Sequence, residues 1–260
     1  MRRKEKYEEY NGLFHNAIDY NVYHMQVQER ILGALAGMAF GGIVFHVFFG
    51  IWILTVLSIP VCAVVGIKVY RHMLLKKRKL RLTMQFRDML ETVSASLGGG
   101  RNIKDAFSGA CSEMEIQYGG SAEIVYELQI IRSGLDNNIN IEVLLQDFAR
   151  RSHDENVQNF ADVFEVANRR GGNVRQIIYE TKNVISDKIM IERDIQTLVS
   201  GKKNELNIMM VLPLIVVNQT KAMHGNTSDD LEFSLLVKMI AFTMFVIAYL
   251  VGRKIMDIRV

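Results

Sequence analysis

The stretch ILGALAGMAFGGIVFHVFFGIWILTVLSIPVCAVVGI, Ile31 to Ile67, runs for 37 residues without Asp, Glu, Lys or Arg. A bilayer core of about 30 Å takes about 20 helical residues at 1.5 Å each, so the run fits two crossings. The break is expected between His46 and Gly50, in a very short turn. A signal peptide fits poorly, because 30 mostly polar residues come first and the run is too long for an h-region. Two further apolar stretches follow: Leu206 to Val217, twelve residues long, and Phe233 to Val251, nineteen residues interrupted by Lys238.

The basic flanks orient these segments. Between Lys68 and Arg81 lie seven Lys or Arg and no acid, Lys202 and Lys203 precede the third stretch, and Arg253, Lys254 and Arg259 follow the fourth. Asp229, Asp230 and Glu232 sit between the third and fourth. The positive-inside rule then favours four spans with both termini in the cytoplasm. The organisation is a cytoplasmic arm (1–30), a transmembrane hairpin (31–67), a cytoplasmic helical segment with a basic linker (68–204), and a C-terminal hairpin with a basic tail (205–260). The expected fold class is an all-α integral membrane protein with four transmembrane helices and a cytoplasmic six-helix bundle.

Composition agrees. Of 260 residues, 49% are apolar, 23% are charged, and the net charge is +3, which excludes intrinsic disorder and a nucleic-acid binder that relies on overall basicity. Two cysteines, Cys62 and Cys111, exclude a disulfide scaffold and any CxxC site. Two prolines, far below the average of roughly 5%, point to long helices.

Residues 84 to 204 lack proline, and their apolar residues recur at helical spacing. Phe86, Met89, Leu90, Val93 and Leu97 form a stripe that ends at Gly98-Gly99-Gly100. Asn102 is placed to cap a second helix, and Ser121 a third that Gly134 closes at C′. Asn140 opens a fourth, Asp154 a fifth, and Asn173, after Gly171-Gly172, a long sixth.

The segments QFRDMLETVSASLGGGRNIKDAF (85–107), INIEVLLQDFARRS (139–152) and FEVANRRGGNVRQIIYETKNVI (164–185), with the apolar LNIMMVLPLIVV beyond, resemble the type II secretion F domain. The likeness runs from residue 84 to about 217, roughly half the chain. It includes an acid ahead of a Gly-Gly pair, here Glu165 before Gly171, Gly172 and Asn173, with one or two extra residues in between. A single F domain with two spans before it and two after is most similar to the TadB-like branch of Tad (tight adherence) platform proteins, and TadC-like proteins are the nearest alternative. The resemblance implies a non-enzymatic platform in the cytoplasmic (inner) membrane of a type IV or Tad pilus or type II secretion-like machine. It implies as partners a cytoplasmic hexameric ATPase, a second F-domain platform protein of the TadC-like kind, a pilin, the lipid bilayer and further copies of the chain. No cofactor and no nucleic acid is implied.

Candidate contact residues are Asn102, Arg150, Arg151, Glu165, Arg169, Arg170, Gly171, Gly172 and Asn173. Each also has a purely structural reading. The Gly-Gly-Asn run stops one helix and starts the next, and both arginine pairs fall at helix C-termini, where cations gain roughly 0.3–1 kcal/mol. If both pairs lay at one end they would form a basic patch. Gly33, Gly37 and Gly41 give a small-residue face for close helix packing, on another span or on a second copy. Tyr7, Tyr10, Tyr20 and Tyr23 mark the arm as an interfacial helix or as weakly ordered. Gly98-Gly99-Gly100 lacks the P-loop order, since Lys104 precedes Asp105 and not Ser or Thr. No HExxH, GxSxG or paired-carboxylate arrangement is present. Against the competing reading, a transporter or channel subunit, the spans carry almost none of the ionisable residues that line substrate routes, Lys238 being the one intramembrane cation candidate.

Overall fold

The computed structural model describes residues 9–10, 17–23, 25–49, 52–224 and 231–256. Eight helices account for nearly all of them: α1 Val27–Phe49, α2 Trp52–Gly98, α3 Ile103–Tyr118, α4 Glu123–Asp136, α5 Ile141–Ser152, α6 Glu155–Arg170, α7 Val174–His224 and α8 Leu231–Met256. A minimal antiparallel pair, β1 (Glu9–Tyr10) and β2 (Ala17–Ile18), precedes them. The chain divides into two compact units, residues 1–24 with 72–189 and residues 25–71 with 190–260.

The first unit is built on the apolar stripes. Leu82, Phe86, Met89, Leu90 and Val93 of α2 are buried with Ala106, Phe107, Ala110 and Met114 of α3 and Ile124, Leu128 and Ile131 of α4. Leu144, Leu145 and Phe148 of α5, Val157, Phe160, Ala161 and Phe164 of α6, and Ile178, Ile185 and Ile189 of α7 complete the core. Phe86 lies at its centre, 5.5 Å from the Phe160 ring and 6.0 Å from that of Phe148. Each large side chain buried this way contributes about 1.5–3 kcal/mol, which is what holds these short helices in place.

The helix boundaries follow local chemistry. Asn102 accepts from the Asp105 N–H (2.8 Å), Asp154 from Asn156 (2.8 Å) and Asn173 from Gln176 (3.2 Å), each satisfying a first-turn donor. Two boundaries differ from expectation. α4 begins behind Ala122, not Ser121, and has no side-chain cap. Gly134 does not end that helix: it is buried inside α4, where Leu144 leaves no room for a Cβ, and Asn138 takes the left-handed position (φ 59°) two residues past the helix. Space for α5, not chain reversal, fixes that glycine. Asn140 precedes α5 without a side-chain cap bond.

The second unit holds the apolar segments. α1 over Val27–Val47 and α2 from Thr55 onward are long and apolar enough to cross a membrane, and almost none of either apolar stretch is buried. Phe40 is 65%, Trp52 74% and Ile53 80% exposed, which a soluble core helix would not tolerate. These two helices associate the chain with a membrane. Of the other two expected spans, the fourth corresponds to a shorter apolar stretch, Met239–Gly252 in α8, and the third is the far part of α7. α8 packs on α1 through Phe242, whose ring is 5.0 Å from that of Phe45. Of the turn expected at His46–Gly50, residues 46–49 are instead the last turn of α1, while Gly50 and Ile51 lie outside the described residues, as do residues 1–8 of the arm, the tail from 257 and the Lys238 side chain. Pro60 and Pro213 fall inside α2 and α7, which continue past them.

α1 and α2 meet through the glycine face. A Cβ on Gly66 would lie 2.5 Å from the Gly33 carbonyl oxygen and 2.7 Å from Gly37 Cα, and one on Gly37 would collide with the Cys62 carbonyl. A Cβ on Gly41 would instead meet the Cys62 side chain. Backbone contact this close leaves no room for any side chain. Gly66→Leu in the full chain is expected to cost about 1–3 kcal/mol of stability, whereas Gly42→Leu, where a Cβ would meet nothing within 4 Å, is expected to cost little. Thermal melts of both variants in detergent check this.

Between α2 and α3, the Tyr118 hydroxyl donates to Asp88, and burial together with that carboxylate pushes the phenol up to about 12. A pKa raised in the folded state gives stability that is whole below the unfolded value of about 10 and is lost as pH rises through the folded one. Absorbance titration at 295 nm is therefore expected to show a late phenolate component near pH 12 that is smaller by one tyrosine in Tyr118→Phe.

Candidate functional site

The candidate residues divide into an exposed elbow and a buried cluster. At the elbow, α6 ends at Gly171 in the left-handed conformation (φ 71°), the Gly172 N–H bonds the Ala167 carbonyl (2.7 Å), and Asn173 caps α7. Gly171, Gly172 and Asn173 are exposed, as are Arg169 and Arg170. Glu165 is partly buried on the α5–α6 seam, where it pairs with Arg169 (2.9 Å) and accepts from Gln146 Nε2 (3.2 Å). Gln146 also donates to Asp162 (2.8 Å), and Asn168 donates to Glu142 (2.7 Å).

These pairings run 142 with 168 and 146 with 162, so α5 and α6 are antiparallel. The end of α5 therefore lies beside the start of α6. Arg150 and the Arg169–Arg170 pair stand at opposite ends of the hairpin, separated by most of the length of α6, about 20 Å. The joint basic patch considered from sequence does not form. Asn102, at the start of α3, is exposed and its side chain caps its own helix.

Arg151 is not a surface contact. It is 1% exposed, and its guanidinium is the hub of a buried cluster. Nη1 and Nη2 grip Glu127 Oε1 (2.7 Å) and Oε2 (2.6 Å), while Nε donates to Asp147 Oδ2 (2.8 Å). Tyr20, wholly buried, donates from its hydroxyl to Glu127 Oε1 (2.7 Å), and its amide donates to the Arg151 carbonyl (3.0 Å). Arg78 lies over the Tyr20 ring, 5.1 Å from its centre, and reaches Glu123 at 3.6 Å.

Burial pushes the Glu127 carboxyl up, and the two-pronged guanidinium works against that rise; contacts of 2.6 and 2.7 Å are those of a carboxylate held by a cation. Burial would pull Arg151 down, but Glu127 and Asp147 outweigh it and hold it above its ordinary value. Burial, then the Glu127 charge, keeps the Tyr20 phenol protonated and so a donor. Adjacent arginines of identical chemistry thus have opposite fates, because 100° of helical rotation turns Arg150 outward and Arg151 inward.

Sequence reasoning missed Tyr20, Glu127 and Asp147. The available signal was Glu127, which stands within the apolar stripe Ile124, Leu128, Ile131 where an acid has no place unless it is paired. Gly33, Gly37 and Gly41 belong to the α1–α2 contact and not to this cluster. Among the described residues no group of three or more His, Cys, Asp or Glu side chains is arranged to hold a metal ion. Comparison of the chain with models of known families, with curated proteins and with solved structures finds no match.

Removing the hub strands a buried carboxylate. Arg151→Met is expected to destabilise the chain by about 3–5 kcal/mol, and Arg150→Met by no more than about 0.5 kcal/mol. Urea unfolding followed by far-ultraviolet circular dichroism separates the two.

Proposed function

We propose that the chain is a non-enzymatic platform protein of the inner membrane, in a type IV or Tad pilus or type II secretion-like machine. In this reading it couples a cytoplasmic hexameric ATPase to pilin assembly or protein export, alongside a second, TadC-like F-domain subunit. Four spans bracket a cytoplasmic helical bundle, and both termini lie in the cytoplasm.

One observation carries the reading beyond the sequence resemblance. α2 and α7 are each continuous helices that begin or end in apolar segments and also supply buried side chains to the first unit: Leu82, Phe86 and Met89 from α2, and Ile178, Ile185 and Ile189 from α7. Each is one helix, of 47 and 51 residues, with Pro60 and Pro213 inside its apolar part, and in this reading displacement would pass along it. The elbow Glu165–Asn173 opens the longer of the two. A motor engaging that elbow would push on the start of α7, and the platform would answer at its apolar end. The energy would come from the partner's nucleotide hydrolysis, since the chain carries no P-loop order of its own.

Photocrosslinking from Asn102, Arg169 and Asn173 in native membranes, with mass spectrometry of the adducts, tests this. Recovery of a secretion ATPase, a pilin or a second F-domain protein is expected. Adducts confined to lipid, to the chain itself or to a solute-transport subunit would contradict it and favour the transporter reading.

A further inference from the structure

The N-terminal segment Ala17–Val22 is held by a series of contacts spread along it. Arg151 Nη1 donates to the Ile18 carbonyl (3.3 Å), His153 Nε2 pairs with Asp19 (3.3 Å), and Lys79 Nζ donates to Asn21 (2.8 Å). Arg78 Nη1 donates to the Val22 carbonyl (3.3 Å), and Tyr20 plugs the space between them. The receiving groups come from α2 (Arg78, Lys79), α4 (Glu123, Glu127) and the end of α5 (Arg151, His153).

We propose that this groove is a docking site for an extended, tyrosine-anchored peptide, filled here by the chain's own residues 17–22, and that the strap binds and leaves as one piece while the helices stay folded. Two features carry this. First, the groove is compensated without the strap. Glu127 keeps both oxygens on Arg151, Arg151 keeps Asp147, and Arg78 keeps Glu123. No buried charge is orphaned when Tyr20 departs. Second, the main-chain anchor, the Arg151 carbonyl, lies in the last turn of α5, where carbonyls have no helical donor and water can replace the strap's amide.

Recognition is set by Tyr20. Its ring fills the apolar part of the pocket against Phe148, 6.5 Å between centroids, and its hydroxyl donates to a buried carboxylate oxygen. Phenylalanine matches the shape but supplies no donor, so the site discriminates a phenol from a phenyl ring. The proposal stands independently of the platform reading.

Hydrogen–deuterium exchange on the full chain in detergent, together with a labelled peptide of residues 15–24 (HNAIDYNVYH), tests it. In Tyr20→Ala the amides of 17–22 are expected to exchange at least 10-fold faster while α4 and α5 keep their protection, and Tyr20→Phe is expected to fall between. The peptide is expected to bind the Tyr20→Ala chain at least 10-fold tighter than the wild type, whose groove is filled, and to lose at least 10-fold when its Tyr20, but not its Tyr23, is changed to phenylalanine. Loss of protection in α4 and α5 together with the strap would overturn the proposal, as would equal peptide binding to both chains.

Discussion

The constraint that organises this chain is an apolar surface that protein does not cover. Along α1 and the first part of α2, side chains such as Ile31, Phe40, Ile53 and Leu57 remain largely exposed. In water that surface would carry a cost of tens of kcal/mol at about 25 cal/mol per Å²; in lipid it costs nothing. Once the surrounding medium is hydrocarbon, burying such residues on each other gains little, and helices must hold together by close approach. That is why Gly33, Gly37 and Gly66 bring two backbones into contact.

The first unit solves the opposite problem. Its helices are short, twelve to sixteen residues for α3 to α6, and are too short to persist alone. A continuous apolar core, with Phe86, Phe107, Phe148, Phe160 and Phe164 all fully buried, supplies what they lack. Into that core the fold admits one set of charges, and it is compensated with care: a fork of two short bonds to Glu127, a third to Asp147, and a phenol closing the remaining side. A buried ion pair of this kind adds little net stability over an apolar replacement, but it permits only one arrangement of the groups around it. Here that arrangement joins α4, α5 and the arm.

Most of the helical pattern was legible in the sequence because it depends on neighbours a few residues apart. Asn102, Asp154 and Asn173 announce their helices through caps that reach only two or three residues on, and the apolar stripes of α2 to α6 read directly as faces. What escaped depends on residues far apart in the chain. Tyr20 and Glu127 are 107 positions apart, so an arm with four scattered tyrosines looked weakly ordered or interfacial. Gly134 looked like a helix stop because nothing local reveals that Leu144 lies against it. Arg150 and Arg151 are indistinguishable as sequence and are sorted only by which side of α5 faces the core. The elbow at Gly171 was legible as geometry, but its role in contact is a property of a partner and is not written in the chain alone.

The most direct test of the account is whether the α1–α2 connection and the α6–α7 elbow lie on opposite sides of a membrane. Single cysteines replacing Trp52 and Arg169, in a chain with Cys62→Ala and Cys111→Ala, can be challenged in intact cells with a thiol reagent that does not cross the membrane. The account predicts labelling at position 52 in intact cells and labelling at 169 only after the membrane is opened. Equal labelling of the two sites in intact cells, or protection of both until lysis, would contradict a hairpin that spans the bilayer.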